Sequence, residues 1–204
     1  MITIVDYGLG NIRAFVNVYS RLNIEIKVAH TAKDLRAATK IILPGVGAFD
    51  YAILQLNASG MRDELEIQVL ENKVPIMGIC VGMQMLAKSS NEGKLPGLGW
   101  IDGEVKLFDT TLIPYKTRLP HMGWNNMCPI GNIELFNGFD EQTRFYFLHS
   151  YYFVCNREEN VISTTEYGIR FASAVNRNNI YGVQFHPEKS HSSGVQLLHN
   201  FAKL

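Results

Sequence analysis

Gly78-Ile79-Cys80-Val81-Gly82-Met83-Gln84 places a cysteine between two glycines, each two residues away. An apolar run, Val74 to Ile79, leads into it and reads as a buried strand, and a helix is expected from there to about Lys88. Strand, nucleophile, helix is the G-x-Nuc-x-G elbow. Such a turn is sharp and strained, and side chains on either flank would clash, so glycine is required there. The turn lifts the thiol to the end of a sheet and sets it at a helix N-terminus, where backbone N–H groups favour thiolate.

A thiol nucleophile needs a base. His186-Pro187-Glu188 follows the apolar run Tyr181 to Phe185. Proline disfavours the helical region for His186, and in extended chain residues two apart share a side. Glu188 can then hold one ring nitrogen of His186 while the other faces sulfur. Acyl chemistry also needs N–H donors for a developing oxyanion. One is expected at Val81, after the nucleophile. A second is expected at Val46 in Pro44-Gly45-Val46-Gly47, which follows a predicted strand and ends on the same sheet edge.

Other chemistries are disfavoured. Asp6-Tyr7-Gly8-Leu9-Gly10-Asn11 follows a strand as a dinucleotide loop would, but Arg13 stands where the third glycine belongs. His186, Glu188 and His191 offer no closed metal shell, so neither metal nor cofactor is expected. Lys and Arg total 19, as do Asp and Glu, which argues against a nucleic-acid binder. Three separated cysteines, Cys80, Cys128 and Cys155, suit neither a disulfide scaffold nor a zinc ribbon. No signal peptide and no membrane-length apolar run is read. A cytoplasmic protein is expected, with no membrane association.

The elements that must position these groups fall into two halves. Ile2–Val5, Ile26–Ala29, Lys40–Leu43 and Val74–Ile79 read as strands. They alternate with helical patterns over Asn11 to Leu22, Thr31 to Ala38 and Gly60 to Asn72, with Asn11 as a candidate cap. Alternation of this kind predicts a parallel sheet with helices on both faces. In the second half Glu104–Phe108, Phe145–Phe153, Val161–Tyr167, Phe171–Asn176 and Ile180–Phe185 read as closely spaced strands, before a final helix over Ser193–Lys203. The sheet is expected to turn partly antiparallel there. A single domain over residues 1–204 fits the length of 204 residues.

The triad and its flanking words resemble the class I (triad) glutamine amidotransferases. Within them the chain is similar to the glutaminase subunits that serve imidazole glycerol phosphate synthesis. The resemblance spans the chain, from Val5–Asn11 and Leu43–Phe49 through the elbow to Pro120-His121-Met122-Gly123-Trp124-Asn125, His149-Ser150-Tyr151 and Gln184–Ser190. It implies a flavodoxin-like three-layer α/β sandwich, its central sheet mostly parallel with an antiparallel extension. It implies hydrolysis of L-glutamine through a Cys80 thioester, with His186 and Glu188 completing the triad. Gly47, Gln84, Ser150 and Tyr151 match positions that hold glutamine. It also implies a heterodimer with a (β/α)8 cyclase that receives the ammonia, with Trp124, Asn125, Tyr146 and Lys189 in words matching that interface. One word departs: Gly97-Leu98-Gly99-Trp100-Ile101-Asp102-Gly103 replaces the expected Ile-Pro-Gly type, and the segment Leu107–Leu119 reads as elaborated. The departure leaves open a paralogue that amidinates a surface-polysaccharide sugar; a free-standing γ-glutamyl thiol hydrolase on the same fold is a separate alternative.

Overall fold

The computed structural model describes residues 1–113 and 119–204. Residues 114–118, within the segment expected to be elaborated, lie outside the described residues.

In chain order the strands are β1 (Ile2–Val5), β2 (Ile26–Ala29), β3 (Ile41–Gly45), β4 (Ile76–Cys80), β5 (Ser89–Ser90), β6 (Gly103–Leu107), β7 (His121–Asn126), β8 (Cys128–Pro129), β9 (Arg144–His149), β10 (Tyr151–Cys155), β11 (Val161–Tyr167), β12 (Ile169–Arg177) and β13 (Ile180–Val183). The α-helices are α1 (Ile12–Arg21), α2 (Ala32–Leu35), α3 (Phe49–Ala58), α4 (Arg62–Glu66), α5 (Val81–Gln84) and α6 (His191–Lys203). Among the described residues no helix is long and apolar enough to cross a membrane.

The main sheet runs β2-β1-β3-β4-β13-β12-β10-β6-β5, with β11 and β8 joined beside β12. The first five strands pair in parallel. Beyond β13 the pairing turns antiparallel through β12, β10 and β6. The parallel strands β1, β3 and β4 are buried along their whole length. Unbroken apolar runs are what a sheet covered on both faces requires.

Several boundaries differ from the sequence reading, each for a physical reason. Helix α3 was not expected. Its inner face, Phe49, Ala52, Ile53 and Leu56, keeps helical spacing, but Tyr51 and Leu54 on its outer face are exposed and blur the pattern. The helix expected from Gly60 to Asn72 begins at Arg62 and opens into a π-turn over Ile67–Glu71. The helix expected from Thr31 to Ala38 is one turn, closed by a capping box between Thr31 and Asp34. Asn11 stands at the start of α1 but its side chain makes no capping bond.

The helix after Cys80 stops at Gln84 rather than near Lys88. The departing segment around Trp100 takes over the carbonyls that would continue it. Leu98 N donates to Met85 O, Ile101 N to Leu86 O, and Gly99 N to Ala87 O. Trp100 itself is buried, so the word that departs from the family pattern packs behind the elbow.

The run Phe145–Phe153 is not one strand. It breaks at Ser150, where the chain leaves β9, paired among the described residues with β7, and enters β10 in the main sheet. Strand β7 had no reading of its own. Its register with β9 sets His121 opposite His149 and Trp124 opposite Tyr146.

Candidate active site

The carboxyl ends of β3, β4 and β13 lie side by side. Register pairs Gly45 with Cys80, and Val183 with Ile79. The three chains leaving these ends carry the Val46 loop, the Cys80 elbow, and Gln184 to His186. Ligands in open α/β sheets bind at this edge.

Cys80 has φ +55° and ψ −111°, a conformation a residue with a side chain adopts only at a cost of about 1–3 kcal/mol. The surrounding packing enforces it. A Cβ at Gly82 would stand 2.0 Å from Leu43 O, and one at Gly78 would stand 2.5 Å from Gly82 O. Both glycines are therefore demanded by close backbone approach, as the elbow reading requires.

His186 Nδ1 lies 2.9 Å from Glu188 Oε1, and their side chains are only 4% and 3% exposed. That leaves Nε2 for the sulfur. Burial alone would push the His186 pKa down. Hydrogen bonds and charge from Cys80 and Glu188 outweigh it and hold the value at about 10. Glu188 Oε2 is buried with no partner among the described residues. The backbone is pinned as well: His186 N donates to Tyr146 O at 2.8 Å, while Ser190 Oγ accepts from Tyr146 N and donates to His186 O.

A cavity of about 280 Å³ opens over the sulfur. It gathers Val46, Gly47, Cys80, Val81, Gln84, Ser150, Tyr151 and His186 from the sequence reading, with Lys189 at its edge. A larger cavity, about 550 Å³, sits by the β12–β13 turn at the amino end of β13. It has no nucleophile, and Lys88 and Asp102 in its wall pair with each other at 2.7 Å.

The Asp6–Asn11 turn works as a brace for the Val46 loop. Tyr7, buried, donates its hydroxyl to Pro44 O at 2.7 Å. Burial foremost, and then the Cys80 charge, pushes the Tyr7 pKa up, so this hydroxyl stays a donor.

Of the candidate interface residues, Trp124 is 38% exposed, meets Tyr146 edge-on, and stacks on His191 at 5.1 Å. Lys189 Nζ lies 5.9 Å above the Tyr146 ring. Asn125 differs: its amide is turned inward, donating to Glu166 O at 2.8 Å and lying 3.2 Å from His121 Nε2. His191 therefore belongs to an aromatic stack.

The sequence reading gave no role to four residues at or beside the site, although His121, His149 and Gln184 stand in the words it quotes. Glu92 reaches the cavity and accepts from Phe49 N at 2.9 Å. Gln184 is buried beside Cys80, its Nε2 3.7 Å from the sulfur. Its signal was available: a polar residue two before His186 shares its side of an extended segment. His121 and His149 are buried and 3.1 Å apart. Desolvation foremost lowers them, to about 4 and about 3, so both are neutral at pH 7.

The sequence profile of the family "Glutamine amidotransferase class-I" matches residues 3–204. A Bdellovibrio bacteriovorus protein named imidazole glycerol phosphate synthase subunit HisH is 55% identical over 204 residues, covering all of both chains. A Leptospira interrogans protein of the same name is 49% identical, again over all of both. A solved glutamine amidotransferase structure superposes over all of this chain and 99% of its own, with TM-score 0.73 at 19% identity. That likeness establishes the sandwich architecture. With the elbow and the full-length identity together, the chain belongs to the class I glutamine amidotransferases and, within them, to the HisH subunits of imidazole glycerol phosphate synthase.

Proposed function

We propose that Cys80, His186 and Glu188 are the triad by which this chain hydrolyses glutamine. The observation that carries the reading is the buried His186–Glu188 contact at 2.9 Å beside a cysteine held at φ +55°. Glutamine hydrolysis in imidazole glycerol phosphate synthase, for histidine biosynthesis, is the activity of the branch to which the chain belongs.

The chemistry runs in two halves. Cys80 thiolate attacks the side-chain amide carbon, and the carbonyl oxygen takes up negative charge. The N–H groups of Val81 and Val46 meet that oxyanion. Protonated His186 gives its proton to the leaving nitrogen, ammonia departs, and a γ-glutamyl thioester remains. Neutral His186 then takes a proton from water as the water adds to the thioester. Collapse releases glutamate and restores thiolate and imidazolium. Glu188 orients the ring and offsets its charge throughout. Gly47, Ser150 and Tyr151 line the substrate's path, and Glu92 is the carboxylate suited to the α-ammonium group of glutamine.

The chain acts as a subunit, and the finer reading is a heterodimer with a (β/α)8 cyclase. The supporting observation is the half-exposed Trp124, Tyr146 and Lys189 cluster beside the mouth of the cavity. Ammonia escaping into water would be protonated and lost as a nucleophile, so the acceptor must cover that mouth. Docking there would press on Tyr146, whose backbone holds that of His186. Three unpaired cysteines fit a reducing compartment, and the cytoplasm is our reading of location.

The test is glutamate release by the chain alone, and mixed with the cyclase subunit and its nucleotide ligand. Stimulation by the liganded partner, lost in Cys80→Ala, supports the reading. Equal activity without the partner points to a free-standing hydrolase, and a silent mixture rejects the assignment.

A further inference from the structure

The nucleophile has a neighbour that the triad does not use. Gln184 follows β13, and the β13–β4 register brings it level with Cys80. Its Nε2 stands 3.7 Å from Cys80 Sγ. Its Oε1 accepts from Gln84 Nε2 at 3.1 Å, and Gln84 Nε2 also donates to Tyr151 O at 3.1 Å.

These contacts leave one orientation for both amides. A backbone carbonyl only accepts, so the Gln84 atom beside Tyr151 O is its nitrogen. That nitrogen then needs an acceptor on Gln184, which turns the Gln184 nitrogen toward sulfur. The Tyr151 carbonyl is itself held, because His149 Nδ1 reaches it at 2.7 Å. His149 Nδ1 must therefore carry a proton, and its Nε2 accepts from His121 Nδ1 at 3.1 Å. His121 Nε2 in turn accepts from Asn125 Nδ2 at 3.2 Å. The whole row is satisfied only with both rings neutral: the histidine arm from the β7 edge and the Gln84 amide both donate to the Tyr151 carbonyl, and from Gln84 the row runs through Gln184 to the sulfur.

We propose that Gln184 is a further catalytic group of the thiol site, donating its amide N–H to the Cys80 thiolate, and that Gln84 and the Tyr151 carbonyl are positioning groups that fix the direction of this bond. The proposal rests on the reading of Cys80 as nucleophile. An N–H donor stabilises thiolate over thiol. It acts in the free enzyme and again when the thioester breaks and sulfur leaves with its electron pair. A second consequence concerns the substrate. Both hydrogens of Gln84 Nε2 are committed, so Gln84 can offer glutamine only an acceptor, its Oε1.

The test is the pH dependence of Cys80 alkylation by iodoacetamide in the full chain, followed by mass spectrometry of the Cys80 peptide. Gln184→Met keeps the length and removes the donor. Its alkylation midpoint is expected to rise by about one to two pH units, the scale of one hydrogen bond to a charged group. Gln84→Met leaves Gln184 in place but unguided, and a smaller rise in the same direction is expected. Thermal melts establish that each variant is folded. An unmoved midpoint in folded Gln184→Met overturns the proposal, and if that variant does not fold, an unmoved midpoint in Gln84→Met overturns it instead. A wild-type chain that releases no glutamate with its partner rejects the proposed function separately, while the alkylation profiles still decide the role of Gln184.

Discussion

Replacing Glu188 with Gln removes one charge from the site and almost nothing else. His186 and Glu188 are 2.9 Å apart and nearly sealed from water, so solvent does little to screen the lost charge. A hydrogen bond to a charged group contributes about 1.5–3 kcal/mol. At about 1.4 kcal/mol per tenfold, that predicts a fall in kcat/KM of about 10–150-fold. The amide oxygen can still accept from His186 Nδ1, so the ring should keep its place. Its nitrogen, however, would occupy the position of Oε2, which has no partner among the described residues. A buried donor left unpaired costs about 1–3 kcal/mol, and for a chain of this size each kcal/mol lowers the melting temperature by about 2–4 °C. The assays are partner-stimulated glutamate release, a thermal melt, and an NMR titration of the His186 ring. The ring's pKa should fall from about 10, because one of the two groups raising it is gone. Wild-type kcat/KM together with an unchanged His186 titration would refute the reasoning, since Glu188 would then do nothing for the histidine.

Glu92→Gln should raise the KM for glutamine about tenfold with little change in kcat, because the amide still accepts from Phe49 N while the charge facing the substrate ammonium is lost. Unchanged KM in steady-state kinetics would remove Glu92 from the substrate site. Gly82→Ala should destabilise the chain by at least ~1–3 kcal/mol in urea denaturation, since its Cβ would stand 2.0 Å from the Leu43 carbonyl oxygen. The His121–His149 pair predicts a specific acid sensitivity. Folding lowers both pKa values below 6.5, so the unfolded chain binds more protons as pH falls. Their contribution is whole above about pH 6.5 and is lost as pH falls through about 4 and then about 3. Melting temperature measured from pH 7 to 4 should drop, and His121→Phe should flatten the part of that drop due to His121 while leaving the part due to buried His149.

The sequence by itself determined the candidate chemistry. The elbow around Cys80, the His186–Glu188 spacing and the Val46 loop are local patterns, and local geometry dictates them: tight turns need glycine, and extended chain sets residues two apart on one side. The parallel half of the sheet was legible for a similar reason, since doubly covered strands must be continuous apolar runs such as Ile41–Leu43. Helix α3 was hidden because apolar residues on its outer face masked its period. The tertiary structure alone decided what depends on register between distant segments. Gln184 meets the sulfur only because β13 aligns with β4, and His121 meets His149 only because β7 aligns with β9. A one-residue slip in either pairing would turn those side chains to the opposite face. Register is fixed by the burial of whole sheet faces, a property of the packed core that no short stretch of sequence carries.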